Sequence, residues 1–378
     1  MLKNSLREGS VRIPAGCAIC GIIDRTGKRF SGDEIMKSIA TMRERSNGLG
    51  GGFAAYGIYP QYQDFYALHV FYDSTEAKER TEAFLNTHFY IESSGRIPTV
   101  KVASVTSPPR IWRYFAKPDR NRLSESGLTE EEYVAQCVLR VNRQFDGAYI
   151  FSCGKNMGVF KGVGYPEEIG EFYQLHHYEA YLWTAHGRFP TNTPGWWGGA
   201  HPFALLDWTI VHNGEISSYD ANRRYVEMFG YTCKLQTDTE VITYLYDLLV
   251  RKHGLDLETA SKVLTAPLWE EIDRMTPEQQ EKYKALRAVY AGALVTGPFS
   301  IILGFNGGMV ALNDRLKLRA LIAAEHGDRV YVASEESAIR VLCPTPDKVW
   351  AVEGGKPIIE WVRNDGLWPA IAKGSNHD

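Results

Sequence analysis

Cys17-Ala18-Ile19-Cys20-Gly21-Ile22-Ile23-Asp24 follows directly on Ile13-Pro14-Ala15-Gly16. An apolar run of this kind, closed by the turn-forming Arg25-Thr26-Gly27-Lys28, reads as a strand. It sets a thiol at the head of that strand, near the start of the chain. Three readings of Cys17 are open on the segment alone. It is a packed core cysteine, since free cysteine is among the most often buried residue types. It is half of a Cys-x-x-Cys pair with Cys20. Or it becomes an N-terminal residue once residues 1–16 are cut away. In that third case the thiol gains a neighbouring α-amine of pKa about 7.7–8.0, a base matched to neutral pH. With the Gly16–Cys17 bond intact the same nitrogen is an amide and takes no proton.

Working outward, Ser31-Gly32-Asp33-Glu34 opens a helix to about residue 44, with Ile35, Ile39 and Met42 at helical spacing. Gly48-Leu49-Gly50-Gly51-Gly52 is a loop before a strand at 53–58. Residues 60–165 read as an inserted α/β region with a strand at 65–72, helices at 75–87 and 130–145, and a hairpin at 146–160 turning on Gly154-Lys155-Asn156. A short helix at 166–172 and a strand at 180–185 return to the main body. Residues 255–290 are helical and charge-rich, and 297–362 are mostly short strands. The expected organisation is a propeptide (1–16), one domain (17–363) carrying the insertion, and a C-terminal tail (364–378).

Bulk properties narrow the function classes. The 378 residues are 44% apolar and 23% charged with a net charge of −3, which is ordinary for a soluble globular protein. No basic footprint argues for nucleic acid. No apolar run approaches the roughly 20 residues needed to span a bilayer. Six scattered cysteines suit a reducing cytoplasm and not a disulfide framework. Cys17-x-x-Cys20 lacks a second pair at zinc spacing. The Gly48-Leu49-Gly50-Gly51-Gly52 loop is neither a dinucleotide fingerprint nor a Walker sequence, and iron–sulfur spacing is missing. The expectation is therefore a chain with no metal or cofactor of its own.

Three later segments carry candidate chemistry. Thr184-Ala185-His186-Gly187-Arg188-Phe189-Pro190-Thr191 runs from a strand into a loop. There the planar fork of Arg188 can grip a carboxylate, or simply cap the loop. In Thr209-Ile210-Val211-His212-Asn213-Gly214-Glu215, Asn-Gly is either a hairpin turn or an oxyanion hole, the side-chain amide acting with a backbone N–H. Gln236-Thr237-Asp238-Thr239-Glu240 opens a helix, with Asp238 a capping residue or the partner of an ammonium group. Taken together, a thiol, an oxyanion donor pair, an arginine and an aspartate match the functional groups of glutamine. Arg188 and Asp238 would hold the amino-acid end while the thiol acts on the side-chain amide.

With these residues in place, the chain resembles a class II, N-terminal-nucleophile glutamine amidotransferase. It is most similar to the stand-alone amidotransferase subunit or domain of glutamate synthase. Cys17-Ala18-Ile19-Cys20-Gly21-Ile22-Ile23 fits the family's opening pattern throughout, whereas a start at Cys20 would put Asp24 where the pattern has glycine. The resemblance implies Cys17 as nucleophile, Asn213 and Gly214 as oxyanion hole, Arg188 with Thr191 for the α-carboxylate, and Asp238 for the α-amine. Arg45-Ser46-Asn47-Gly48 resembles the loop that lies over bound glutamine, so Arg45 is a further binding candidate. Two more segments match the glutamate synthase wording without an assigned role: Asn313-Asp314-Arg315-Leu316-Lys317-Leu318-Arg319 and Ala333-Ser334-Glu335-Glu336.

The resemblance implies an α+β fold, a four-layer αββα sandwich with the nucleophile on a central strand. It implies a glutaminase that passes ammonia to a separate synthase subunit acting on 2-oxoglutarate, with FMN and iron–sulfur clusters on that partner. Two alternatives stand beside it. One is the amidotransferase of another acceptor system, such as an N-methylglutamate synthase or an asparagine synthetase-like enzyme. The other is an unprocessed, non-catalytic subunit that binds glutamine or scaffolds a partner.

Overall fold

A computed structural model describes residues 16–189, 195–235 and 237–363. The Ala18–Asp24 strand is buried at every position and lies inside a seven-stranded sheet. It pairs antiparallel with Leu182–Gly187 on one side and Arg329–Ala333 on the other. Gly51–Tyr56 and Met157–Gly162 extend the sheet one way, Ile322–His326 and Lys348–Ala351 the other. A second, five-stranded antiparallel sheet runs in the order Phe203–Leu205, Trp208–Gly214, Phe299–Phe305, Gly308–Asn313, Ile358–Trp361.

The two sheets stack face to face. Strand alternation turns Ile19, Gly21 and Ile23 to one face and Ala18, Cys20 and Ile22 to the other. Gly21 sits over Ile302 of the second sheet, where a Cβ would come within 3.3 Å of that side chain. The inner face is thus the Ile19 face, and Cys17 falls on it by the same alternation. Helices cover the outer faces. Gly32–Ala40, capped by Ser31 accepting from the Asp33 N–H, packs Ile35 and Ile39 on the seven-stranded sheet beside Pro166–Phe172. Asp238–Tyr246 lies on the five-stranded sheet. This is a four-layer αββα sandwich of the α+β class. Because each sheet is covered on both faces, the strands read as mostly hydrophobic runs without regular polar alternation.

Residues 66–152 form a further four-stranded antiparallel sheet, Phe89–Arg96, Arg110–Pro118, Tyr66–Tyr72 and Ala148–Ser152, with helices Thr75–His88 and Glu130–Gln144. It shares its core with the main body: Leu68, Val70 and Tyr72 lie in one apolar cluster with Leu205, Trp208 and Leu245. The hairpin expected at 146–160 does not form. Ala148–Ser152 joins the four-stranded sheet and Met157–Gly162 the seven-stranded one. The turn residues Gly154, Lys155 and Asn156 instead bridge two sheets, because each strand finds a longer apolar partner elsewhere. Among the described residues no helix is long and apolar enough to cross a membrane.

Candidate functional site

Cys17 precedes the central strand at the end where Gly187 leads into Arg188 and Phe189. Its thiol accepts the Phe189 N–H at 3.4 Å and points its own proton toward the Phe189 carbonyl at 3.9 Å. Burial pushes the thiol pKa up to about 11, against the Phe189 N–H and the charges of Arg188 and Arg319, with Asp238 adding to the rise. The thiol is therefore protonated at neutral pH, the form in which it is a poor nucleophile. Cys20 is placed differently. It lies on the helix-covered face beside Ser38, and burial drives its pKa up to about 12.

Arg188 is buried, and the Gly48–Gly50 loop is laced to it. The Arg188 N–H donates to the Gly50 carbonyl at 2.8 Å, and a Cβ on Gly50 would come within 3.0 Å of the Arg188 side chain. Arg45, one turn earlier, is held against the backbone of Cys17. Its Nε donates to the Cys17 carbonyl at 3.1 Å, its Nη1 to Glu335 at 2.8 Å, and its carbonyl accepts the Gly16 N–H at 2.9 Å. Thr191 and Gln236 lie outside the described residues.

Asn213 and Gly214 are not a hairpin turn. They are the last residues of a strand, paired with Ser300 and Phe299. Gly214 adopts φ +147°, and a Cβ there would stand 2.0 Å from the Pro298 carbonyl oxygen, so only glycine fits. The Asn213 side chain lies on the inner face and its Nδ2 donates to Ser334 Oγ at 3.2 Å. The same Oγ accepts the Ile19 N–H at 3.1 Å, and the Ser334 N–H donates to the Ile19 carbonyl at 2.9 Å. Ser334 thus bonds the Asn213 amide to the strand that carries Cys17, across the gap between the sheets.

Asp238 is the first residue of its helix. Its carboxylate accepts the Ile216 N–H at 3.2 Å and lies 3.4 Å from His212 Nδ1. Burial would raise its pKa, but His212 and the Ile216 and Thr239 N–H groups outweigh burial and hold it below the usual carboxylate range. Asp238 and Arg188 both act electrostatically on Cys17. The thiol, Arg188, Asn213 and Asp238 therefore surround one end of the sandwich, although they stand up to 221 residues apart in the chain (238 − 17).

Behind this end lies a buried polar layer that the sequence did not announce. Ile19, His186, Gly52 and Lys161 form one row across the inner face. His186 Nε2 is 2.9 Å from the His212 carbonyl, and its ring lies 4.1 Å from that of His201. Burial, against the hydrogen bond to the His212 carbonyl, and then the Arg188 charge pull the His186 pKa down to about 3, so it is neutral. Lys161 is fully buried and donates to the Gly198 and Pro202 carbonyls at 3.0 and 3.3 Å. Glu240, two residues into the Asp238 helix, accepts the Leu235 N–H and the Tyr244 hydroxyl, yet burial lifts its pKa to about 7. Ser334, Glu335 and Arg319 are the positions that local reasoning left without a role. Their only signal was the wording of two motifs some 300 residues beyond Cys17.

Comparison with known proteins gives the family. A family model described as glutamine amidotransferases class-II matches residues 98–350. That stretch includes Arg188, Asn213, Gly214 and Asp238 but stops short of Cys17. An uncharacterized protein of Archaeoglobus fulgidus is 51% identical over 346 residues, 91% of each chain. The amidophosphoribosyltransferase of Methanocaldococcus jannaschii is 25% identical over 219 residues, 57% of this chain and 41% of that one. Among solved structures, the glutamine phosphoribosylpyrophosphate amidotransferase from B. subtilis aligns with a TM-score of 0.45 at 15% identity, covering 91% of this chain and 47% of that chain. The family match spans well over half the chain, and this protein belongs to the class II glutamine amidotransferases.

Proposed function

We propose that the chain is the glutaminase component of a glutamate synthase. In this reading it hydrolyses L-glutamine to glutamate and ammonia through a γ-glutamyl thioester on Cys17. Ammonia then passes to a partner synthase subunit that acts on 2-oxoglutarate and carries FMN and iron–sulfur clusters. The observation that carries the chemistry is the Ser334 bridge, which sets the Asn213 amide and the Cys17 strand in one bonded unit beside Arg188 and Asp238.

Removal of residues 1–16 converts the Cys17 amide to an amine. That amine takes the thiol proton, a transfer that the raised thiol pKa makes necessary. The thiolate attacks the carboxamide carbon. The Asn213 Nδ2 and the Gly214 N–H receive the developing oxyanion, where one such donor contributes about 3–4 kcal/mol. The amine returns the proton to departing ammonia, and water then hydrolyses the thioester. Arg188, with Thr191, holds the α-carboxylate, Asp238 the α-ammonium, and Arg45 belongs to the loop beside them.

The test has two parts. Intact mass of the purified protein shows whether residues 1–16 are lost, and a glutaminase assay is run on the wild type and on Cys17→Ala. Processing with Cys17-dependent glutaminase activity supports the reading. A persistent Met1 terminus with no activity favours the non-catalytic subunit. The acceptor is identified by the subunit that co-purifies: a flavin and iron–sulfur protein supports glutamate synthase, and any other acceptor enzyme replaces it.

A further inference from the structure

Apart from the Cys17 site, a cavity of about 320 Å³ opens among the helices Leu257–Thr265, Trp269–Asp273 and Pro277–Val289. Sites for small molecules run from roughly 300 to 1,000 Å³, so this one suits a compact ligand. Trp269, Tyr283 and Tyr290 supply aromatic walls, Lys262, Lys284 and Arg287 supply cations, and no lining residue is acidic.

The partners of these cations are unusual. Lys262 Nζ donates to the Gly355 carbonyl at 2.9 Å, Lys284 Nζ to Gln280 Oε1 at 3.4 Å, and Arg287 Nη1 to the Pro267 carbonyl at 2.7 Å. Arg315, close enough to act on Arg287 by charge, donates to the Ala266 carbonyl at 3.5 Å. None of the four makes an ion pair with a carboxylate among the described residues. Glu258, Glu271 and Glu353 act on Lys262 through space only, and Lys356 opposes them. Most other half-buried arginines of the chain, such as Arg25, Arg43, Arg251 and Arg329, are paired with acids. Here like charges are gathered around an opening instead. The Arg287 guanidinium also lies 4.0 Å over the Trp269 ring, which sets a cationic fork and an indole on one wall.

We propose that this cavity binds a small organic anion with a flat apolar body. The anionic group meets Lys262, Lys284 and Arg287, and the body lies among Trp269, Tyr283 and Tyr290. A bare inorganic anion would leave the aromatic walls in water, and a cationic aromatic would face three like charges. Aryl carboxylates and mononucleotides share the required chemistry. The site is independent of the Cys17 chemistry and stands whether or not glutamine is hydrolysed there.

Titration calorimetry on the full chain tests it, with phenylpyruvate, AMP, inorganic phosphate and tryptamine as probes. Phenylpyruvate or AMP is expected to bind one to one with Kd below about 1 mM, and the arm that binds tells carboxylate from nucleotide. Phosphate and tryptamine should not bind. Arg287→Glu should weaken binding by about tenfold or more. Lys284→Glu, at an exposed position, gives the same readout should Arg287→Glu fail to fold. The proposal is overturned if neither anion binds, if tryptamine binds as well as they do, or if both charge reversals leave affinity unchanged.

Discussion

Two cysteines three residues apart divide by strand alternation. Cys17 faces the gap between the sheets, under Arg188 and Asp238, while Cys20 faces a helix. Cys17→Ala is expected to abolish glutaminase activity, whereas Cys20→Ala should keep kcat within about twofold and lose about 1 kcal/mol of stability. The opposite pattern in a coupled ammonia assay would move the nucleophile to Cys20. Ser334 makes a sharper case. Its hydroxyl holds the Asn213 amide in place, so Ser334→Ala should lower kcat by roughly 10–100-fold with KM for glutamine nearly unchanged, and Ser334→Thr should restore part of it. A rise in KM at constant kcat would assign Ser334 to substrate binding instead. Cys17 was legible because its motif is local. Ser334 was not, because its role arises only where two strands more than 100 residues apart are brought into hydrogen-bond distance.

At the scale of elements, the pair Asn213-Gly214 shows why a dipeptide does not fix its own conformation. The same two residues that favour a hairpin turn end a paired strand here, and Phe299 across the ladder decides the matter. Gly214→Ala should destabilise the fold by about 2 kcal/mol or more, since the added methyl meets the Pro298 carbonyl at positive φ. Urea melts check this, and an unchanged midpoint would contradict the geometry. The helix that begins at Asp238 carries a pH signature through Glu240. The folded chain holds this proton up to about pH 7 against the ordinary 4.5, so stability linked to Glu240 falls as pH rises through that window. Glu240→Gln should therefore stabilise the protein more at pH 8 than at pH 5, by an amount on the order of 2–3 kcal/mol. Thermal melts at both values would show it, and an equal effect at the two pH values would contradict it.

At the scale of the whole molecule, the four-stranded sheet of residues 66–152 is joined to the sandwich by a common core and not by a linker. Removing it would strip cover from Leu205, Leu206 and Trp208. A chain in which residues 60–156 are replaced by a short glycine linker should therefore aggregate, as read by size-exclusion chromatography. A soluble, monomeric product would show that the two units fold independently. The strand at Cys17, most helices and strands, the family, and the residue types that glutamine requires were legible in the chain, because motifs and apolar periodicity are local properties. The sequence did not separate the two strands around Gly154, nor give a role to Ser334, nor show the Arg45–Glu335 link, the buried Lys161 and His186 row, or the cationic cavity. Those depend on which strands become neighbours. Pairing between sheets is set by the packing of apolar faces over long separations, and only the tertiary structure decides it.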